Sequence, residues 1–99
     1  MNSYAKEISK IKLLSNDETT QLINAMKTGD MVARKKLIHH NMKMVLYIAY
    51  KYQPIINLPI DELISIGAVG LIKAIDNFDI EKNIKLSTYA YKCIKNDFY

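Results

Sequence analysis

Between Leu86 and Tyr99 the chain reads LSTYAYKCIKNDFY, and the side chains there with chemistry to offer are lysines and phenols. At about 100° per residue on a helix, Thr88, Tyr89, Lys92, Lys95, Asn96 and Tyr99 fall within about a third of the circumference, while Ala90, Cys93 and Ile94 lie on the other side. Lysines attract a phosphate backbone, and an exposed phenol ring gives an unpaired base a stacking surface worth roughly 1–3 kcal/mol per base. The pattern suits single-stranded nucleic acid. It also suits a solvated helix whose tyrosines pack by their rings and wet their hydroxyls, and these residues alone leave both readings open.

Other reactive side chains point to less. His39 and His40 are adjacent, so on a helix they project about 100° apart and make a poor ligand pair. Cys93 is the single cysteine, which excludes an intrachain disulfide or a cysteine-rich zinc site and reads as structural in a reducing cytoplasm. With no nucleotide-binding motif either, no cofactor is expected, and an enzyme is the least expected class. The 99 residues make one small domain, too small for a large enclosed active site. A composition of 49% hydrophobic and 24% charged residues supports a folded globule, and the net charge of +4 suits an anionic partner without selecting one. MNSYAKEISK lacks the apolar run of a secretory signal, and nowhere do eighteen apolar residues run together, so a cytoplasmic protein with no membrane partner is expected.

The elements that must carry these residues are helical. Only three Gly and two Pro punctuate the chain, and the apolar spacing between them follows a helical period, which predicts an all-α, compact bundle of four or five helices. Ser15 and Glu18 form a capping box that starts a helix with Leu22, Ile23 and Met26 inward; Gly29 ends it, and Asp30 caps the next. That next helix runs to about Tyr52, with Leu37, Val45, Ile48, Ala49 and Tyr52 on one face. Asn41 shares the stripe and is expected to hydrogen-bond a neighbouring loop or helix, because an unpaired buried amide costs about 1–3 kcal/mol. Pro54 and Pro59 are expected to break the helix across QPIINLP. A further helix follows over 61–78 with Asp61 and Glu62 in its first turn, then a polar connection, DIEKNI, and Ser87 as the expected cap of the last helix.

The helix over 61–78 has two apolar faces. Leu63, Ile64, Gly67, Leu71, Ala74, Ile75 and Phe78 share one side and read as core. The other side carries Glu62, Ser65, Ile66, Val69, Ile72, Lys73 and Asp76, placing three branched apolar residues where water is expected. Such a patch, rimmed by charge, marks a protein contact unless another part of the same domain, such as an N-terminal helix, covers it.

In this order, GDMVARKKLIHHNMKMVLYIAYKY, DELISIGAVGLIKAIDNFD and IKLSTYAYKCIKND resemble the sigma-70 family of bacterial RNA polymerase initiation factors, over about Leu14 to Asp97. The resemblance is to the family's second region, here 30–99, with the short helical segment before it, here 1–29; LISIGAVGLIKAI and KLSTYAYKCIKN look most like the mother-cell sporulation type. It implies a transcription initiation factor that performs no chemical step and works within a holoenzyme. It assigns Glu62, Ser65, Ile66, Val69 and Ile72 to core RNA polymerase, on a coiled coil of the largest subunit. It assigns Lys85, Thr88, Tyr89, Lys92, Lys95 and Asn96 to the melted minus-ten strand of promoter DNA, with Tyr89 where an aromatic ring stacks on an extruded adenine. An anti-sigma factor is a further partner that the family allows. Lys92 and Cys93 stand where housekeeping members carry two tryptophans, so promoter melting is expected to be weaker or more selective, and Ile66 replaces an acidic residue common in housekeeping members, exchanging a charge contact for an apolar one in keeping with the sporulation type. The chain stops at Tyr99, before the segment that reads upstream minus-ten bases and before the minus-thirty-five domain, as expected of a fragment or a natural truncation. Two other readings stand beside an initiation factor: a truncated competitor that occupies polymerase without initiating, and a free-standing single-stranded nucleic-acid-binding module.

Overall fold

A computed structural model describes residues 3–98 as five helices: α1 (Ser3–Ser9), α2 (Asn16–Lys27), α3 (Met31–Ile56), α4 (Ile60–Asn77) and α5 (Leu86–Asp97). No strand occurs among the described residues, so the fold is the expected all-α bundle. α3 is its spine: α1, α2 and α4 pack along it, and α5 packs chiefly on α4 with a smaller contact to α3. Leu37, Val45 and Ile48 of α3, Leu63, Ile64, Leu71 and Ile75 of α4, and Ile94 of α5 are completely enclosed where these helices meet.

Local chemistry sets most of the boundaries. The Glu18 backbone N–H donates to Ser15 Oγ at 3.1 Å and the Ser15 N–H to Glu18 Oε1 at 2.9 Å, completing the capping box that starts α2. Gly29 takes φ +100°, a left-handed turn that a side chain would strain, and Asp30 Oδ1 then accepts from the N–H groups of Val32 and Ala33 to open α3. α1, which carries no local boundary signal, is held to α3 by buried Ala5 and Ile8.

Three expectations are corrected. α3 does not break at Pro54 but continues to Ile56 and ends where Asn57 turns left-handed at φ 59°. Within the ladder Pro54 removes only its own N–H, and the carbonyl that loses it belongs to Tyr50, on the solvent side, where water can replace the bond. The turn is then closed by Asn57 N–H donating to the Gln53 carbonyl at 2.9 Å and Gln53 Nε2 to the Leu58 carbonyl at 3.2 Å. Asn41 finds its partner in its own helix: Nδ2 donates to the Leu37 carbonyl at 2.7 Å, one turn back. Ser87 does not cap α5; the helix starts one residue earlier behind Lys85, with no side-chain cap, because buried Leu86 pins its first turn to the core.

Longer-range bonds hold the ends of α3, α4 and α5. Arg34 Nε and Nη2 donate to the two carboxylate oxygens of Asp76 at 2.8 and 2.9 Å, tying the start of α3 to the end of α4. Lys27 Nζ donates to the Phe78 carbonyl at 2.7 Å, and Lys73 Nζ lies 3.4 Å from Asp97 Oδ2 across α4 and α5.

Candidate partner-binding faces of α4 and α5

Two glycines set how α4 is presented. A Cβ on Gly67 would stand 2.8 Å from Val45 Cγ1, and one on Gly70 would stand 2.9 Å from Ile94 Cα and 3.1 Å from the Cys93 carbonyl oxygen. α4 therefore lies flush against α3 and against the backbone of α5, and its inward stripe of Leu63, Ile64, Gly67, Leu71, Ala74, Ile75 and Phe78 is buried as the periodicity requires.

The opposite side stays open. Val69 is 50% exposed, Ile66 and Ile72 are half-buried, and Glu62 and Ser65 are exposed. α1 and α2 pack on α3 rather than along this side of α4, so the N-terminal helices do not cover it. Lys73 and Asp76, at the far end of the same face, turn instead to Asp97 and Arg34. Their pairing trims the outer face to the five residues from Glu62 to Ile72. The Arg34 guanidinium, by hydrogen bond first and charge second, holds the Asp76 carboxyl below its usual range.

α5 sits with Leu86, Ala90, Ile94 and Phe98 buried and with Lys85, Thr88, Lys92, Lys95 and Asn96 exposed. Tyr89 and Tyr91 border this ridge on opposite edges. Tyr89 is half-buried: its ring centre lies 6.0 Å from that of Phe78 at an interplanar angle of 43°, so one edge leans on the core while the rest faces out. The Cys93 thiol one turn on pushes its phenol pKa up. Tyr91, on the α3 side, accepts a 2.8 Å hydrogen bond from Lys51 Nζ, which pulls the Tyr91 pKa down and raises that of Lys51. Tyr99 lies outside the described residues. Lys85 and Ser87 also edge a cleft of about 240 Å³ between the foot of α5, α3 and the α1–α2 connection, with Asn41 and Met44 in its wall.

The six α5-segment residues singled out by sequence thus share one stretch, and the five of α4 share another. The Lys51–Tyr91 bridge and the role of Gly70 go beyond the sequence expectations. The first joins residues 40 apart, beyond any local period. Gly70 carried a signal, being a second glycine three residues from Gly67 in a helix interior, where glycine is disfavoured unless backbone must approach closely. Among the described residues no three His, Cys, Asp or Glu side chains gather as a metal site, and no helix is long and apolar enough to cross a membrane.

A helical bundle that leaves an apolar strip on one helix and a cationic, tyrosine-edged ridge on the next is organised around surfaces rather than a cavity. The chain belongs to the sigma-70 family: residues 37–99 match Sigma-70 region 2. It is 44% identical over 84 residues to the RNA polymerase sigma-E factor of Clostridium acetobutylicum, covering 85% of this chain and 35% of that protein. It is 47% identical over 87 residues to the RNA polymerase sigma factor SigA of the same organism, covering 88% and 23%. Against the RNA polymerase sigma-K factor of Bacillus subtilis the identity is 39% over 95 residues, covering 96% and 32%. The chain thus spans about a quarter to a third of the length of these relatives.

Proposed function

We propose that this chain acts in transcription initiation by docking on core RNA polymerase through the outer face of α4 and presenting α5 to the melted minus-ten strand of promoter DNA. Residues 30–99 carry both contacts and residues 1–29 form a preceding helical segment. The supporting observation is the open strip on α4, where Val69 is 50% exposed between half-buried Ile66 and Ile72. Covering such a strip returns about 25 cal/mol per Å² of apolar surface, a gain that only a shape-matched protein surface collects. A coiled coil of the polymerase's largest subunit is the fitting partner, with Glu62 and Ser65 at the polar rim.

On α5 the base-binding role falls to Tyr89, with Lys85, Thr88, Lys92, Lys95 and Asn96 for the strand beside it. Extruding a base costs a few kcal/mol, and one stacked ring with nearby cations returns a comparable amount. Capture is near balance, so the polymerase contact supplies the remainder. Replacing Ile66 or Ile72 by Glu should abolish retention by immobilised core RNA polymerase while leaving the thermal unfolding midpoint within a few degrees of the parent. Wild-type retention by both variants would remove α4 from the interface.

A further inference from the structure

α3 carries Arg34, Lys35, Lys36, Lys43 and Lys51, and not one Asp or Glu lies between Met31 and Ile56. Its buried stripe takes up Leu37, Val45, Ile48, Ala49 and Tyr52. Positions 36, 43, 47, 50 and 51 then fall within about 100° of one another on the far side. Two phenol rings stand there in water: Tyr47 is 65% exposed and Tyr50 38%. Between them and Leu46 lies a shallow, mainly apolar hollow of about 450 Å³, edged by Lys43 and Lys51 and with no carboxylate in its wall.

A single exposed tyrosine needs no explanation. Two rings near one another, with a cation at each end and no anion, make a more specific surface. An apolar protein partner would make no use of the lysines, and an acidic one would make little use of open ring faces. A single-stranded polyanion uses both, through phosphates and bases. The surface is also continuous with α5, because Lys51 Nζ donates to Tyr91 Oη at 2.8 Å and lies 5.4 Å from the centre of that ring. Lys43 and Lys51 stand eight residues apart, about 12 Å along the axis, the length of three to four stacked nucleotides.

We propose that α3 extends the nucleic-acid track: a single strand passing from α5 over the Lys51–Tyr91 bridge lies along α3, with a base stacked on Tyr47 and phosphates at Lys43 and Lys51. This rests on the nucleic-acid reading of α5. It adds a second stacking platform that the inward-facing periodicity of α3 does not reveal.

The test titrates a short minus-ten single strand, and the same strand lengthened at either end, into the chain alone and assembled with core RNA polymerase. Lengthening should tighten binding to the parent. Tyr47→Ala should remove that gain, weakening the long strand roughly 5- to 100-fold while leaving the short one unchanged. Tyr47→Phe, which keeps the ring, should bind as the parent does, and Lys43→Ala with Lys51→Ala should lower the salt slope for the long strand by about 0.7 per lysine. Parental binding of the long strand by Tyr47→Ala overturns the proposal, as does a loss of polymerase retention in that variant, which would make this face a protein contact. Tyr89→Ala separates the two readings. If it leaves both strands unaffected, the α5 reading fails by itself, whereas the α3 track is decided by Tyr47 alone.

Discussion

The outer faces of α4 and α5 belong to helices packed against each other, yet they meet water on opposite terms. α4 presents Ile66, Val69 and Ile72 between Glu62 and Ser65 at one end and the paired Lys73 and Asp76 at the other. α5 presents Lys92, Lys95, Thr88 and Asn96, groups that water solvates well, with half-buried phenols along its edges. Covering the first face releases free energy in proportion to apolar area and is nearly indifferent to salt. Covering the second gains chiefly from releasing counterions of a polyanion and weakens as salt rises. Two neighbouring helices are thereby suited to different kinds of partner, and each can be disturbed without rewriting the other.

What they share is the seam between them. Ile94 is completely buried and lies against both Gly67 and Gly70, so it seats α5 on α4. Ile94→Ala should therefore have the largest effect, about 2–5 kcal/mol of lost stability from removed contacts and the cavity left behind. Thermal unfolding followed by circular dichroism should show a midpoint lower by at least several degrees, with both polymerase retention and strand binding reduced. A variant that lost only one of the two activities would show that the faces are supported separately.

A smaller effect should follow from the tie at the end of α4. Because Arg34 holds the Asp76 carboxyl below its usual range, folding favours the ionised form. That contribution is complete above the unfolded-state value near pH 4 and is lost as pH falls through the lower folded-state value. Asp76→Asn should lower the unfolding midpoint modestly at neutral pH, and the gap between parent and variant should narrow as pH falls through the folded-state value. The side chain is partly exposed, at 42%, so screening keeps the difference well below that of Ile94→Ala. Strand binding by α5 should not change, which separates the support of α4 from that of α5.

The helices were legible where the signal lies within about one turn. The Ser15–Glu18 box, Gly29 and Asp30 each act on backbone groups a few residues away, and the structure places each cap as read. The inward stripe of α4 was equally legible, because burial on one side imposes a period that seven residues obey. Pro54 misled because a local preference was outweighed by the packing of a long helix whose lost bond faces solvent. Ser87 misled because burial of Leu86 set the start of α5 more firmly than a hydroxyl would. Arg34–Asp76, Lys51–Tyr91 and the Gly70–Ile94 approach join residues far apart in sequence, so only the assembled bundle brings them together. The residues of the two candidate faces could be grouped from helical periodicity, but the ring of Tyr89 leaning on Phe78 could not.

The middle of the α4 strip should be open in the free chain and covered when polymerase binds. Val69→Cys, made together with Cys93→Ser so that the chain holds one thiol, measures this directly through its rate of labelling by a water-soluble thiol reagent. Labelling should be rapid in the free chain and strongly suppressed once core RNA polymerase is bound. Equal rates in the free and bound states, with binding intact, would contradict it.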